Sequence, residues 1–345
     1  MRAWIAGLWL IVVALIAPPL YAEDTTAAAV ERLTAGLTAA EAHDGKTSPA
    51  LLPALAALAH AEWRAGALAD ATASRRRALK ITIAAFGCGS AEVAEAMAAV
   101  ADVEIDRRRY LDAEPLLTIA TRMLAARAGN DAAGLARMFA GLSRIALARG
   151  DTGAAKIWAD RAVDIARRTA SPGSAEPLRM LGAVQIAAGR FDAAENVLTE
   201  ALTQDRRVSG ASSDDTARSL SQLAHLYFRQ GKVNDALPLI EQATAIDQRH
   251  LGAVHPFIAD DLYDLGLAYA ALKRNDAARN AFSKAVSLLE QGDSKETPRI
   301  AYAQTQLSNI YRAEGNTAAA DAAFKNARRI LNNAESEEHR RERRV

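Results

Sequence analysis

Seven alanines constrain this chain more than any other feature. Ala71, Ala113, Ala155, Ala194, Ala236, Ala278 and Ala320 stand 42, 42, 39, 42, 42 and 42 residues apart. Seven residues after each stands a second alanine, from Ala78 through Ala162 to Ala327. Thirteen residues before each stands an aliphatic side chain, from Leu58 and Val100 to Leu307, and the next residue is always small: Ala59, Ala101, Ser143, Gly182, Ala224, Gly266 or Ser308. A fixed period of this size is the mark of a solenoid, in which one unit cannot bury its apolar face alone and must stack on its neighbours. Within each unit the apolar residues recur at helical spacing on both sides of a turn, which predicts two helices. Glycine occupies five of the seven turns, at Gly66, Gly150, Gly189, Gly231 and Gly315, where it accepts the left-handed backbone that closes a helix. Arg108 and Lys273 stand in the other two. Composition agrees: half of the residues are hydrophobic but only 5% are aromatic, which suits helices packed through small side chains better than sheets. The Arg149-Gly150-Asp151 tripeptide falls on the turn of the third unit and reads as structure.

The segments Leu223–Thr244 (LAHLYFRQGKVNDALPLIEQAT) and Leu265–Val286 (LGLAYAALKRNDAARNAFSKAV) resemble the tetratricopeptide-repeat family in their order of small residue, Tyr, turn, Ala, bulky residue and Ala. Tyr227, Tyr269 and Tyr311 occupy that family's tyrosine position, and Phe282 and Phe324 its second-helix aromatic position. The 42-residue length and the Gly, His-Pro linker in Arg249–Leu262 (RHLGAVHPFIADDL) resemble its kinesin-light-chain type. The resemblance implies an all-α, right-handed superhelical solenoid of about seven helical hairpins. On this reading residues 49–332 form the solenoid and 23–48 a capping helix or half-repeat. A bend is expected near 170–177, where Pro172, Gly173 and Pro177 gather, and 333–345 form a charged tail.

The resemblance also implies a concave groove lined by the first helix of each unit. Carried onto this sequence, it places Arg137, Arg144, Arg179 and Arg218 there, followed by His225 and Arg229. Tyr263, Tyr302, Asn309 and Arg312 complete the expected partner-binding set, with His60, Trp63 and Arg64 at its start. Arginine forks pair with carboxylates and aromatics supply anchoring area. The expected partner is therefore another protein, offering a segment with Asp, Glu or a C-terminal carboxylate. The competing reading of the arginines is as ion pairs between neighbouring helices.

The first 22 residues have the order of an export signal: Arg2, an apolar run from Trp4 to Ala17, two prolines, and Ala22 before Glu23. The expectation is an exported protein, periplasmic or secreted, with no membrane span after cleavage. The alternative is an uncleaved inner-membrane anchor. Forty-two basic against 41 acidic residues offer no charge excess for nucleic acid. The single cysteine, Cys88, excludes an intrachain disulfide and a multi-thiolate metal site. No phosphate-cradling loop, nucleophile elbow or zinc-protease helix occurs, and His250 and His255 lack the spacing of a helical metal pair. The sequence thus predicts a non-catalytic scaffold of the bacterial cell envelope, with no cofactor and no metal. An accessory subunit binding envelope polysaccharide or peptidoglycan is the alternative, and a cluster of aromatics in the groove would favour it.

Overall fold

Each unit folds as two antiparallel helices joined by the turn read from its sequence. The computed structural model describes residues 26–126, 132–168, 175–252, 254–291 and 298–342, and at 132 and 334–342 the backbone alone. The export signal, Pro172 and Gly173 of the expected bend, and the side chains of the charged tail lie outside the described residues. Helix α1 (Thr26–Asp44) leads through a short 3-10 turn into seven hairpins. The first four are α2 (Leu52–Arg64) with α3 (Leu68–Phe86), α4 (Ala91–Asp106) with α5 (Tyr110–Ala125), α6 (Ala132–Ala148) with α7 (Thr152–Arg168), and α8 (Glu176–Ala187) with α9 (Phe191–Val208). The last three are α10 (Asp214–Arg229) with α11 (Val233–His250), α12 (Pro256–Ala271) with α13 (Asn275–Gln291), and α14 (Pro298–Ala313) with α15 (Thr317–Glu342). There is no strand among the described residues, and no helix there is long and apolar enough to cross a membrane.

The register of small residues becomes the packing. All seven first alanines are fully buried. In two units the small position is glycine, and there the facing side chain fills the space. A Cβ on Gly266 would stand 2.6 Å from the Phe282 ring, and one on Gly182 would overlap Leu198. In two others it is serine, whose hydroxyl donates to the carbonyl of the first alanine: Ser143 to Ala155 and Ser308 to Ala320, each at 2.8 Å. Phe324, the counterpart of Phe282, stands beside a serine unit and remains half exposed. The turns hold a left-handed residue in every unit, including the two without glycine, where φ is 60° at Arg108 and 58° at Lys273. Leu37 of α1 buries against Leu55, Leu58 and Ile81, closing the first hairpin's open side.

Successive hairpins coil until the chain meets itself. The turn after α2 abuts the linker between α11 and α12, nearly two hundred residues on. Gly252 N–H donates to the Arg64 carbonyl (2.6 Å), and the Arg64 guanidinium donates from Nε to the His250 carbonyl (2.8 Å). Arg64 therefore caps the C-terminal end of α11, where carbonyls are unsatisfied and the helix dipole favours a cation. Trp63 lies edge-on to His255 and Phe257, with ring centroids 4.8 and 5.7 Å away. The groove reading of Trp63 and Arg64 is thus corrected. Trp63 is 9% exposed and donates its Nε1–H to Asp106 at 2.8 Å; both residues close the coil. A second bridge joins Arg108, at the left-handed turn of unit two, to Asp260 of α12 at 2.9 Å.

Candidate functional site

The coil curves around a half-open cavity of about 1630 Å3. Its wall is built mainly from first helices, which in units two to five pack side by side (α4 on α6, α6 on α8, α8 on α10), so one face of each turns inward. Of the ten residues assigned to the groove, Arg144, Arg179, Arg218, His225, Arg229, Tyr263 and Tyr302 line this wall, while Arg137, Asn309 and Arg312 stand outside it.

The arginines divide by their partners. Arg137 of α6 is held by Glu95 and by Asp102 of α4, the latter at 2.6 Å, and Arg144 one step along reaches Asp106 at 3.4 Å. Arg179 is 4% exposed and is gripped by Asp205, itself bonded by the Ser219 hydroxyl (2.6 Å), and by Asp215 at 3.2 Å. These are ion pairs between neighbouring elements, and removing one partner of a pair as buried as Arg179–Asp205 costs about 3–5 kcal/mol. Arg218 is looser. It stands 3.8 Å from Asp215, and its guanidinium lies over Trp63 and Phe257 at 5.6 and 5.5 Å from the ring centroids. Arg229 is exposed to the cavity with no ion pair among the described residues. One helical turn earlier, the His225 pKa is lowered by burial and then by the charges of Arg229 and Arg299. Those two cations converge on His225 from α10 and α14.

Beside them the wall is aromatic. Tyr302 is half exposed; Tyr263 meets Phe282 edge-on at 5.6 Å and carries the Arg299 guanidinium 5.3 Å from its centroid. Phe228 and Phe257 line the same wall. Although these four aromatics come from three different units, the coil gathers them into one surface. Arg299 was missed in the sequence, although it stands three residues before Tyr302 as Asp260 stands three before Tyr263. Phe257 follows the His-Pro linker and carried no groove signal of its own. Deeper in the wall, the carboxyls of Asp247 (α11) and Asp261 (α12) face each other, both about 6% exposed. Burial first and then the neighbouring Asp247 push the Asp261 pKa well above the carboxylate range.

Residues 173–249 and 215–291 match the family profile of the tetratricopeptide repeat. A search of curated proteins finds no match. Among solved structures, a Rap protein in complex with Competence and Sporulation Factor aligns over 90% of this chain and 99% of its own, at 12% identity and a TM-score of 0.53. Kinesin-light-chain-like repeats from Podosopora anserina align over 60% of this chain and 99% of their own, at 22% identity and a TM-score of 0.48. BtubC from P. vanneervenii aligns over 78% and 92%, at 19% identity and a TM-score of 0.42. The Rap likeness concerns the fold.

Proposed function

We propose that this chain, which carries tetratricopeptide repeats over residues 173–291 and folds as a tetratricopeptide solenoid, is a non-catalytic scaffold that holds a segment of a partner protein in its interior cavity. The observation that carries this reading is Arg229, a cation with no ion pair among the described residues, in the same concave wall as Tyr302, Phe228 and Tyr263. A cation without a carboxylate of its own, next to aromatic area, suits an Asp, Glu or C-terminal carboxylate flanked by apolar side chains. Arg218, held only loosely by Asp215, supplies a second donor. The envelope setting rests on the charge, apolar run and small-residue order of the first 22 residues.

Crosslinked capture from native envelope extract with residues 23–345 tests this reading. Parent protein is compared with Arg229→Ala/Tyr302→Ala and with Ile157→Ala, an exposed apolar control absent from the cavity wall. A protein recovered with the parent and the control, and reduced by about tenfold or more in the double variant, is expected, since truncating a central anchor costs on the order of 2 kcal/mol. Equal recovery from all three would refute the cavity as the binding site. The gathering of Tyr263, Tyr302, Phe228 and Phe257 favours one second reading, an envelope polysaccharide. Binding of soluble peptidoglycan fragments, lost in the same double variant and unaccompanied by any captured protein, would identify it.

A further inference from the structure

The meeting of the α2–α3 turn with the α11–α12 linker differs in kind from every other contact in the coil. Elsewhere the hairpins pack helix along helix on their chain neighbours. Here no helix of the first hairpin packs lengthwise on α10, α11 or α12. At its glycines the contact is backbone against backbone, and beside them Trp63 packs edge-on to His255 and Phe257 and joins one apolar cluster with Leu251 and Ile258. A Cβ on Gly252 would stand 3.0 Å from the Ala65 Cα and carbonyl oxygen, and one on Gly66 would stand 3.1 Å from the His255 Cα. Its polar bonds are few: Gly252 N–H to Arg64, and Arg64 to His250. It also contains a poorly satisfied group. His255 is fully buried, and its Nδ1 accepts from Phe257 N–H at 3.1 Å, which puts the ring proton on Nε2. Among the described residues, that buried Nε2 has no partner of full hydrogen-bond geometry, and its polar neighbour is the Trp63 backbone across the junction. A buried donor with so poorly placed an acceptor regains hydration when its cover moves away.

We propose that this junction is a clasp: it opens as a unit while all seven hairpins stay folded, and its opening converts the closed coil into an open spiral with lateral access to the cavity. The physical basis is the separation of scales. Hairpin-on-hairpin packing carries the stability of the fold, so the junction can part without unfolding any repeat, as sub-global openings do. The Arg108–Asp260 bridge crosses the same gap, but an ion pair half exposed to water does not hold it shut alone. That the opening admits and releases a partner segment rests on the cavity reading above. The opening itself does not, and it can be read on the protein with no partner present.

Gly252→Val is the sharpest probe. Its backbone is outside the left-handed region, so the substitution strains nothing locally, yet the new side chain collides with the Ala65 backbone. Arg64→Ala removes the bonds to His250 by a different route. Gly89→Val, in the linker between α3 and α4, is the control, because a Cβ there meets nothing within 4 Å. Each full-length mature variant is compared with the parent by amide hydrogen exchange, small-angle scattering and far-ultraviolet dichroism. The expected result is at least about tenfold faster exchange at residues 64–68 and 250–258, a larger radius of gyration, and unchanged helicity in Gly252→Val or Arg64→Ala, with no change in Gly89→Val. Any outcome in which neither junction variant loses protection at the junction alone overturns the proposal. That includes unchanged exchange in both, and loss of protection across all hairpins together.

Discussion

Two residues hold a backbone conformation that glycine holds elsewhere in the same chain. Arg108 and Lys273 sit at φ near 60°, where an L side chain costs roughly 1 kcal/mol that Gly66, Gly150 and their equivalents avoid. The two differ in what they receive in return. Arg108 reaches Asp260 across the mouth of the coil and so contributes to the closed form. The Lys273 side chain is exposed, with no bonded partner among the described residues. Lys273→Gly is therefore expected to raise unfolding stability by about 1 kcal/mol, measured by urea denaturation. Arg108→Gly should gain less, because it relieves the same backbone while losing the bridge. Equal gains at both sites would mean that the bridge contributes nothing. The left-handed turns were legible in the sequence because the register marks them even where glycine is missing. What Arg108 does with its side chain was not legible, since Asp260 lies 152 residues away.

At the scale of the element, the hairpin is tuned by complementary sizes across its two helices. Gly266 on α12 leaves the space that Phe282 on α13 fills; a Cβ would stand 2.6 to 2.8 Å from three atoms of that ring. Phe282 is fully buried, so the ring has no free direction in which to withdraw. Gly266→Ala is expected to destabilise by roughly 1–3 kcal/mol through overpacking, despite alanine's better helix propensity. Combining it with Phe282→Leu should cost less than the sum of the two single changes, because the smaller side chain accepts the new methyl. A double variant whose loss equals that sum would show that the two positions do not compensate. The columns of alanine and small residues were legible because they repeat. The pairing of the largest side chain with the smallest was not legible, because Phe282 and Gly266 were read as two separate columns with nothing in the sequence to show that they meet.

At the scale of the molecule, the coil brings together groups that no repeat pattern connects. Trp63 read as a groove aromatic because its place in the unit faces inward, but the pitch of the coil carries the α11–α12 linker onto it. Pitch accumulates over five units and leaves no mark in any one of them. The same holds for the arginines. Their inward register was readable, whereas the carboxylates that occupy Arg137 and Arg179 depend on how neighbouring helices meet. The buried acid pair is a further product of assembly, with Asp247 from unit five and Asp261 from unit six. Asp247 is faced by Asp214, Arg218 and His250, and Asp261 by Asp264 and Asp260. Burial raises both carboxyls, Asp247 to about 6, so the native state holds protons that the unfolded chain releases near pH 4. The stability this contributes is complete below the unfolded value and is lost as pH rises through the native one. Asp261→Asn removes the proton requirement and keeps the shape. The variant should therefore unfold at a higher temperature than the parent at pH 7.5, and the gap should shrink as pH falls through about 6 towards 4. His255 titrates with the opposite sign. Burial and Arg218 lower its pKa to about 4, so both proteins weaken together as they are acidified below the ordinary histidine range. Only the difference between them isolates the acid pair. A difference in unfolding temperature that stays constant from pH 7.5 to pH 4, or grows in acid, would show that the two carboxyls do not share a proton in the native coil.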